Sequence, residues 1–172
     1  MNSEQITLID KNDCIVGYED KITTHKLALL HRAFSIFIFN SESELLLQKR
    51  SNIKYHSQNL WTNSCCGHQR QDETIEQSTN RRMFEELGIQ CKLIFKTKFL
   101  YKAAVGNGLI ENELDYIFFG YNNDKIKMNL EEYSEIKYMK IVDIKQNIVL
   151  HPNEYTEWFK IILNSLDIFR NI

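Results

Sequence analysis

A chain of 172 residues, 43% hydrophobic and 26% charged, is long enough to bury one core and ordinary in composition for a globular domain. Its formal net charge of −2 argues against a nucleic-acid partner, because no basic excess faces a phosphate backbone, yet a few placed cations can still hold a small anion. Apolar runs such as FSIFIF are too short to span a bilayer, and MNSEQITLID lacks the basic and apolar regions of a signal peptide, so no membrane partner and a cytoplasmic location are expected.

In chain order, ITLID and CIVGYED flank the turn-forming KND and predict a β-hairpin. HRAFSIFIFN and ELLLQKR, joined by SES, predict a second strand pair. Phe34, Ile36 and Ile38 face one side of the first strand and Phe37 and Phe39 the other, so both faces are covered. In DETIEQSTNRRMFEELGI, Ile75, Thr79, Met83 and Leu87 recur every fourth residue and predict a helix, with Asp72 as N-cap and Gly88 just past its end. Strand character returns from Cys91 to Tyr121, broken by GNG at 106–108. EIKYMKIV predicts a further strand, and NEYTEWFKIILNSLDIF a C-terminal amphipathic helix. No linker or repeat divides the chain, so residues 1–172 are expected to form one α+β domain around a mixed sheet.

Three stretches carry chemistry. In LIENELDYIFF, strand alternation puts Leu109, Glu111, Glu113 and Asp115 on one face. Paired carboxylates repel unless a cation or a shared proton relieves them; a solvated strand face is the alternative, weakened by the apolar continuation. On the helix, Arg82 and Glu86 are one turn apart, which fits a surface ion pair or a site with Glu86 on a cation and Arg82 on a phosphate. In WTNSCCGHQR, Cys65 and Cys66 lack the spacing of redox or zinc motifs, and an extended run sends one thiol to each face. Two inert buried thiols, or one buried and one lining a pocket, are both open on residue type. With four unevenly placed cysteines, Cys14, Cys65, Cys66 and Cys91, reduced thiols are expected. His25, His31 and His68 with two strand carboxylates make an all-N/O set suited to zinc, manganese or magnesium, although spacing alone does not bring them together.

From Gly67 to Ile89 the chain resembles the Nudix box: a glycine, Glu73 after five residues, then RRMFEELGI after seven more. Arg81 keeps the pattern, but Arg82 stands where the family's hydrolases carry a glutamate, which argues against diphosphate hydrolysis. LLHRAFSIFIFN, LLLQKRS, WTNSCCGH, RRMFEELG, FLYKA and IENELDY, in that order, resemble type 1 isopentenyl-diphosphate Δ-isomerases over roughly residues 5–160. The resemblance implies a Nudix-like α/β/α sandwich with an N-terminal β-hairpin extension. It also implies exchange between isopentenyl and dimethylallyl diphosphate by a 1,3-allylic proton shift; a Nudix-type diphosphate hydrolase is the alternative.

Carried over by position, the resemblance implies Cys66 on one side of the substrate and Glu113 with Tyr101 on the other. His25, His31, His68, Glu111 and Glu113 match the protein ligands of a divalent ion, Zn2+, Mn2+ or Mg2+. Glu86 matches the carboxylate holding Mg2+ against the diphosphate. Lys21, Arg50, Lys54 and Arg82 match the basic residues around that diphosphate, and Trp158 the aromatic at the hydrocarbon end. The implied partner is a C5 isoprenoid diphosphate, bound by a monomer or a homodimer. Gln58 and Asn59 stand where the family often has proline before the tryptophan, Gln69 replaces a common proline after GH, and TEW replaces SPW.

Overall fold

A computed structural model describes residues 4–127 and 129–169. Its N-terminal hairpin is as expected: β1 (Gln5–Ile9) and β2 (Ile15–Asp20) pair antiparallel, with Asp10 Oδ1 accepting the Asn12 and Cys14 amides at 2.9 Å in the turn. β3 (His31–Phe39) is the centre of the sheet. It touches β1 at Leu8 and His31 and runs parallel with β8 (Leu109–Tyr121) along its whole length.

The second expected strand pair forms only at its mouth. β3 and β4 (Leu45–Arg50) meet at Phe39 and Leu45 and then part, because each has other partners. β6 (Cys65–His68) occupies that edge of β3, while β4 pairs with β5 (Trp61–Thr62) and β9 (Tyr133–Met139). β7 (Leu93–Gly106) and β8 form a long antiparallel hairpin. Asn107 and Gly108 both have positive φ at its tip, as a two-residue primed turn requires.

Helices cover both faces of this sheet, as the α+β sandwich expectation holds. α2 (Ile75–Leu87) packs Met83 and Leu87 against Phe34, Ile36 and Ile38. On the other face, α3 (Ile141–Leu150) and α4 (Glu157–Ser165) bring Ile144, Ile148, Phe159 and Ile162 onto Phe37 and Phe39. The alternation along β3 therefore separates two cores, as its sequence indicates.

Three local expectations need correction. The N-cap of α2 is Thr74, not Asp72: Thr74 Oγ1 accepts the Gln77 amide at 3.2 Å and the Gln77 side chain accepts the Thr74 amide at 2.8 Å. This reciprocal box satisfies two free donors, whereas Asp72 lies at φ 63° in the preceding turn. The C-terminal helix begins only at Glu157, because Pro152–Glu154 forms a separate 3₁₀ turn. The strand expected over EIKYMKIV ends at Met139, and Ile141 and Val142 open α3 instead, where Ile141, Ile144 and Ile148 have helical spacing. A short helix, α1 (Lys21–Lys26), also follows β2, capped by Asp20 Oδ1 on the Thr23 amide at 2.9 Å.

Candidate active site and metal centre

One end of the sheet opens into a cleft of ≈ 190 Å³. Eleven of the thirteen residues singled out from sequence line it: Lys21, Arg50, Lys54, Cys66, His68, Arg82, Glu86, Tyr101, Glu111, Glu113 and Trp158. The other two, His25 and His31, are fully buried beside it.

Sheet register builds the acidic side. Glu113 on β8 is opposite His31 on β3 and Tyr101 on β7, while His68 on β6 pairs with Ala33, two residues along the same face from His31. Glu113 Oε1 lies 3.2 Å from His31 Nε2 and 3.0 Å from His68 Nε2. The Tyr101 hydroxyl reaches Glu113 Oε2 at 2.6 Å and Glu111 Oε2 at 2.8 Å, with one proton to give to either. Burial and the Glu113 charge push the Glu111 carboxyl well above the usual carboxylate range. Burial also opposes charge on Glu113, but hydrogen bonds from His31 and His68 outweigh it and hold its carboxyl well below that range. Beyond them, buried Asp115 accepts the Ser35 hydroxyl at 2.9 Å.

The helix α1 contributes Lys21 and His25, one turn apart. His25 Nδ1 lies 2.6 Å from the Lys21 carbonyl and His31 Nδ1 2.9 Å from the Leu29 carbonyl. The His25 ring thus places its proton on Nδ1 and leaves Nε2 bare, the state in which imidazole binds a metal. His25 Nε2 is buried without a partner. Donor atoms of His25, His31, His68 and Glu113 all lie within 4.8 Å of one another, so the residues present fit a divalent ion. Glu111 stands one step aside, grouped instead with His25 and His56.

On the strand with the two cysteines, the faces divide as the alternation indicates. Cys65 is fully buried against the α2 side, while Cys66 is half-buried, lines the cleft and packs towards the α3–α4 core. Burial, reinforced by the Glu86 charge, pushes the Cys66 thiol well above the ordinary cysteine value, so it rests protonated. Gly67 sits at a close approach: a Cβ there would meet Phe34 Cζ at 3.0 Å and Arg82 Cγ at 3.2 Å.

The basic side is neutralised by carboxylates that the sequence reading did not single out. Arg82 donates to both oxygens of Glu132, at 3.3 and 3.1 Å, and also pairs with Glu86; Lys54 pairs with Glu132 as well. Glu4 accepts from Lys21 at 3.4 Å and from Arg70 at 2.8 Å. Burial opposes charge on Glu132, yet Arg82 and Lys54 lower its carboxyl to about 2. Glu86 is buried, and Gln48 Nε2 donates to its second oxygen at 2.9 Å. At the apolar end, the Arg50 guanidinium lies 5.2 Å from the Trp158 ring centre, and the indole N–H donates to Asn63 Oδ1 at 3.2 Å. Glu4 and Glu132 are distant in sequence from the motifs; Arg70, at the end of WTNSCCGHQR, and His56, two residues past Lys54, stand beside singled-out residues but bear no spacing signal of their own.

Residues 29–159 match the NUDIX domain model. The chain is 44% identical over 163 residues to isopentenyl-diphosphate Delta-isomerase 2 of Photorhabdus laumondii, covering 95% of this chain and 92% of that protein. It is 41% identical over 157 residues to isopentenyl-diphosphate Delta-isomerase 1 of Aromatoleum aromaticum, covering 91% and 89%. Among solved structures, a Deinococcus radiodurans protein superposes with a TM-score of 0.77 at 16% identity over 94% of this chain and 98% of that one. A MutT protein from Methanosarcina mazei gives 0.66 at 16% identity over 83% and 96%. The two structures share the fold; the two sequences share nearly the whole length. The chain belongs to the isopentenyl-diphosphate Delta-isomerase family, within the NUDIX fold.

Proposed function

We propose that the cleft interconverts isopentenyl and dimethylallyl diphosphate, with Cys66 on one side of the hydrocarbon and Glu113 with Tyr101 on the other. The reaction adds a proton to the terminal methylene carbon and removes one from the carbon next to the C–O methylene. The observation that carries the reading is the meeting of a protonated thiol and a tyrosine–carboxylate triad in one cleft with a cationic rim. One side gives a proton as the other takes one, and the reverse reaction exchanges their roles. With Glu111 raised and Glu113 lowered, the two carboxyls hold one proton between them, and Tyr101 is bonded to both.

Lys21, Arg50, Lys54 and Arg82 bind the diphosphate, releasing part of their hold on Glu4 and Glu132 as they do so. Trp158 faces the five-carbon chain, where its π-face stabilises positive charge developing on the tertiary carbon. Closing this apolar end against water protects that cation from capture. His25, His31, His68, Glu113 and Glu111 would hold a Zn2+, Mn2+ or Mg2+ ion, and Glu86 would hold Mg2+ for the diphosphate. When bound, these ions supply charge that offsets the buried carboxylates and the diphosphate. Among the described residues, no helix is long and apolar enough to cross a membrane. We read the protein as acting in the cytoplasm on a small diphosphate, as one domain.

Incubation of the full chain with isopentenyl diphosphate and magnesium should yield the dimethylallyl isomer, followed by proton NMR of the new methyl signal. Release of inorganic phosphate or diphosphate in place of isomerisation would favour a Nudix-type hydrolase and defeat the proposal.

A further inference from the structure

The chain continues to face the cleft beyond the end of β6. Cys66 and His68 line the cleft, and the same alternation brings Arg70, two residues on, into its wall. Backbone bonds fix that position. The Thr7 amide donates to the Gln69 carbonyl at 2.9 Å and the Gln71 amide to the Gln5 carbonyl at 3.1 Å, so β1 holds the chain on both sides of Arg70.

At the mouth, Glu4 stands between two cations. Its Oε1 accepts Arg70 Nε at 2.8 Å, its Oε2 lies 3.4 Å from Lys21 Nζ, and its carbonyl accepts the Lys21 amide at 3.0 Å. Lys21 also feels the positive charge of Arg82 and Lys54, so Glu4 sits at the edge of one group of cations. Burial opposes charge on Glu4, yet Lys21 and Arg70 lower its carboxyl to about 2, and it is ionised at neutral pH. The Arg70 and Glu4 side chains are 38% and 30% exposed, and an ion pair so open to water is weak. Glu86 and Glu132, at 3% and 16%, lie deeper against Arg82. Of these carboxylates Glu4 is therefore the one that an incoming anion displaces most readily. Among the described residues only Nε of the Arg70 guanidinium is engaged, which leaves its terminal N–H groups to grip a phosphate oxygen.

We propose that Arg70 is a further anchoring residue for the diphosphate, and that Glu4 is an internal carboxylate holding Arg70 and Lys21 until the substrate displaces it. The inference rests on the reading of the cleft as a C5-diphosphate site. In the exchange, both cations leave one carboxylate for a group with more charge and more oxygens, and they are already ordered when it arrives. Arg70 and Glu4 therefore act in opposite directions on substrate binding, and their effects fall on KM.

The test is steady-state isomerisation by the full chain at about 0.15 M salt, where charges more than about 8 Å apart are largely screened. Titration calorimetry with magnesium and inorganic diphosphate on the same proteins reads binding without turnover, and circular dichroism confirms folding. We expect Arg70→Gln to raise KM by about 5–20-fold with kcat unchanged, and Arg70→Lys to recover part of the loss. Glu4→Gln should lower KM by about 2–5-fold. The decisive protein is Glu4→Gln/Arg70→Gln, whose KM should stand above that of Glu4→Gln by about the same factor as in the single variant. A double variant with the KM of Glu4→Gln would show that Arg70 acts only by occupying Glu4, and would overturn its contact with the diphosphate. A KM raised by Glu4→Gln would overturn the internal carboxylate. If Arg70→Gln does not fold, Arg70→Lys carries the same comparison with a smaller rise. A parent that does not isomerise the C5 diphosphate defeats the reading of the cleft itself. A parent that isomerises, while Arg70→Gln keeps its KM and its affinity for diphosphate, overturns this inference alone.

Discussion

The neighbouring cysteines give the sharpest test of the proton-transfer assignment, because they differ in which face they serve. Cys66 lines the cleft, whereas Cys65 is fully buried among Ile36, Leu46 and Met83 and its thiol hydrogen-bonds to Glu86. General acid–base groups contribute about 10²–10⁴-fold, so Cys66→Ala should lower kcat by that factor, equivalent to about 3–5 kcal/mol of barrier. Its side chain is half-buried, so losing one sulfur costs about 1 kcal/mol of stability, too little to unfold a domain stable by several times that. Cys65→Ser has the opposite profile. A hydroxyl in that apolar setting costs about 1–3 kcal/mol, softened by the retained donor to Glu86, and each kcal/mol lowers Tm by about 2–4 °C. Its turnover should remain near the parent's. Isomerisation rates with saturating substrate, paired with thermal melts of the same samples, separate the two effects. Loss of turnover in Cys65→Ser matching that in Cys66→Ala, with both proteins folded, would refute the assignment of the thiols to faces and roles.

Four further outcomes follow from the geometry. Glu113→Gln should abolish turnover while leaving the circular dichroism spectrum intact, since the amide keeps the shape but neither takes nor gives a proton; rates within a few-fold of parent would remove Glu113 from the reaction. Glu86→Gln should raise KM and the magnesium concentration needed for half-maximal rate, by about 10–100-fold for a lost charge-assisted interaction, and unchanged kinetics would exclude it from the site. Gly67→Ala should lower stability by about 1–3 kcal/mol, because its Cβ would press on Phe34 at 3.0 Å and Arg82 at 3.2 Å; an unchanged Tm shows that the two side chains yield freely. The Glu132 carboxyl is held at about 2, below its unfolded value, so its stabilisation is present above pH about 4.5 and is lost as pH falls towards 2. Glu132→Gln should therefore be less stable than parent near neutrality, by on the order of 1–2 kcal/mol after solvent screening, with the difference shrinking over that acid window in denaturant titrations.

The features most legible in the sequence are those whose pattern matches one periodicity. Alternation along β3 separates Phe34, Ile36 and Ile38 from Phe37 and Phe39, and these residues do enter two different cores. Alternation along β8 likewise places Glu111, Glu113 and Asp115 on one buried face. What the sequence conceals is competition between partners. The β3–β4 hairpin parts after one rung because β6 and β9 take the edges that it would use, and neither partner is visible from the local run. The cap of α2 moved two residues because Gln77 reciprocates with Thr74, a box that a search centred on Asp72 passes over. The site residues missing from the sequence reading, Glu4, Glu132 and His56, act from separate segments on motif residues, so only the folded chain joins them.

The exchange at position 82 connects the fold with the proposed chemistry. In the hydrolase pattern that the box resembles, the residue beside Arg81 is a carboxylate that adds negative charge around a metal. Here it is Arg82, fixed by both oxygens of Glu132 and by Glu86, with its stem packed where Gly67 leaves room. On the proposed function, a metal-binding charge has become an anion-binding one, and Glu86 remains as the acidic group of that wall. Such a wall can grip a diphosphate through a cation and a guanidinium together, yet offers fewer carboxylates to gather the ions that would activate a water for attack on phosphorus. The groups proposed to react, Cys66, Tyr101, Glu111 and Glu113, lie instead with the aromatic Trp158 along the cleft. Restoring the carboxylate with Arg82→Glu tests this division. It should weaken binding of the C5 diphosphate, raising KM by about 10-fold or more for the lost charge-assisted contact. A smaller effect on kcat is expected, because the proton-transfer groups are untouched. A fall in kcat at saturating substrate with KM unchanged would place Arg82 in the chemical step and refute the separation of anchoring wall from reacting face.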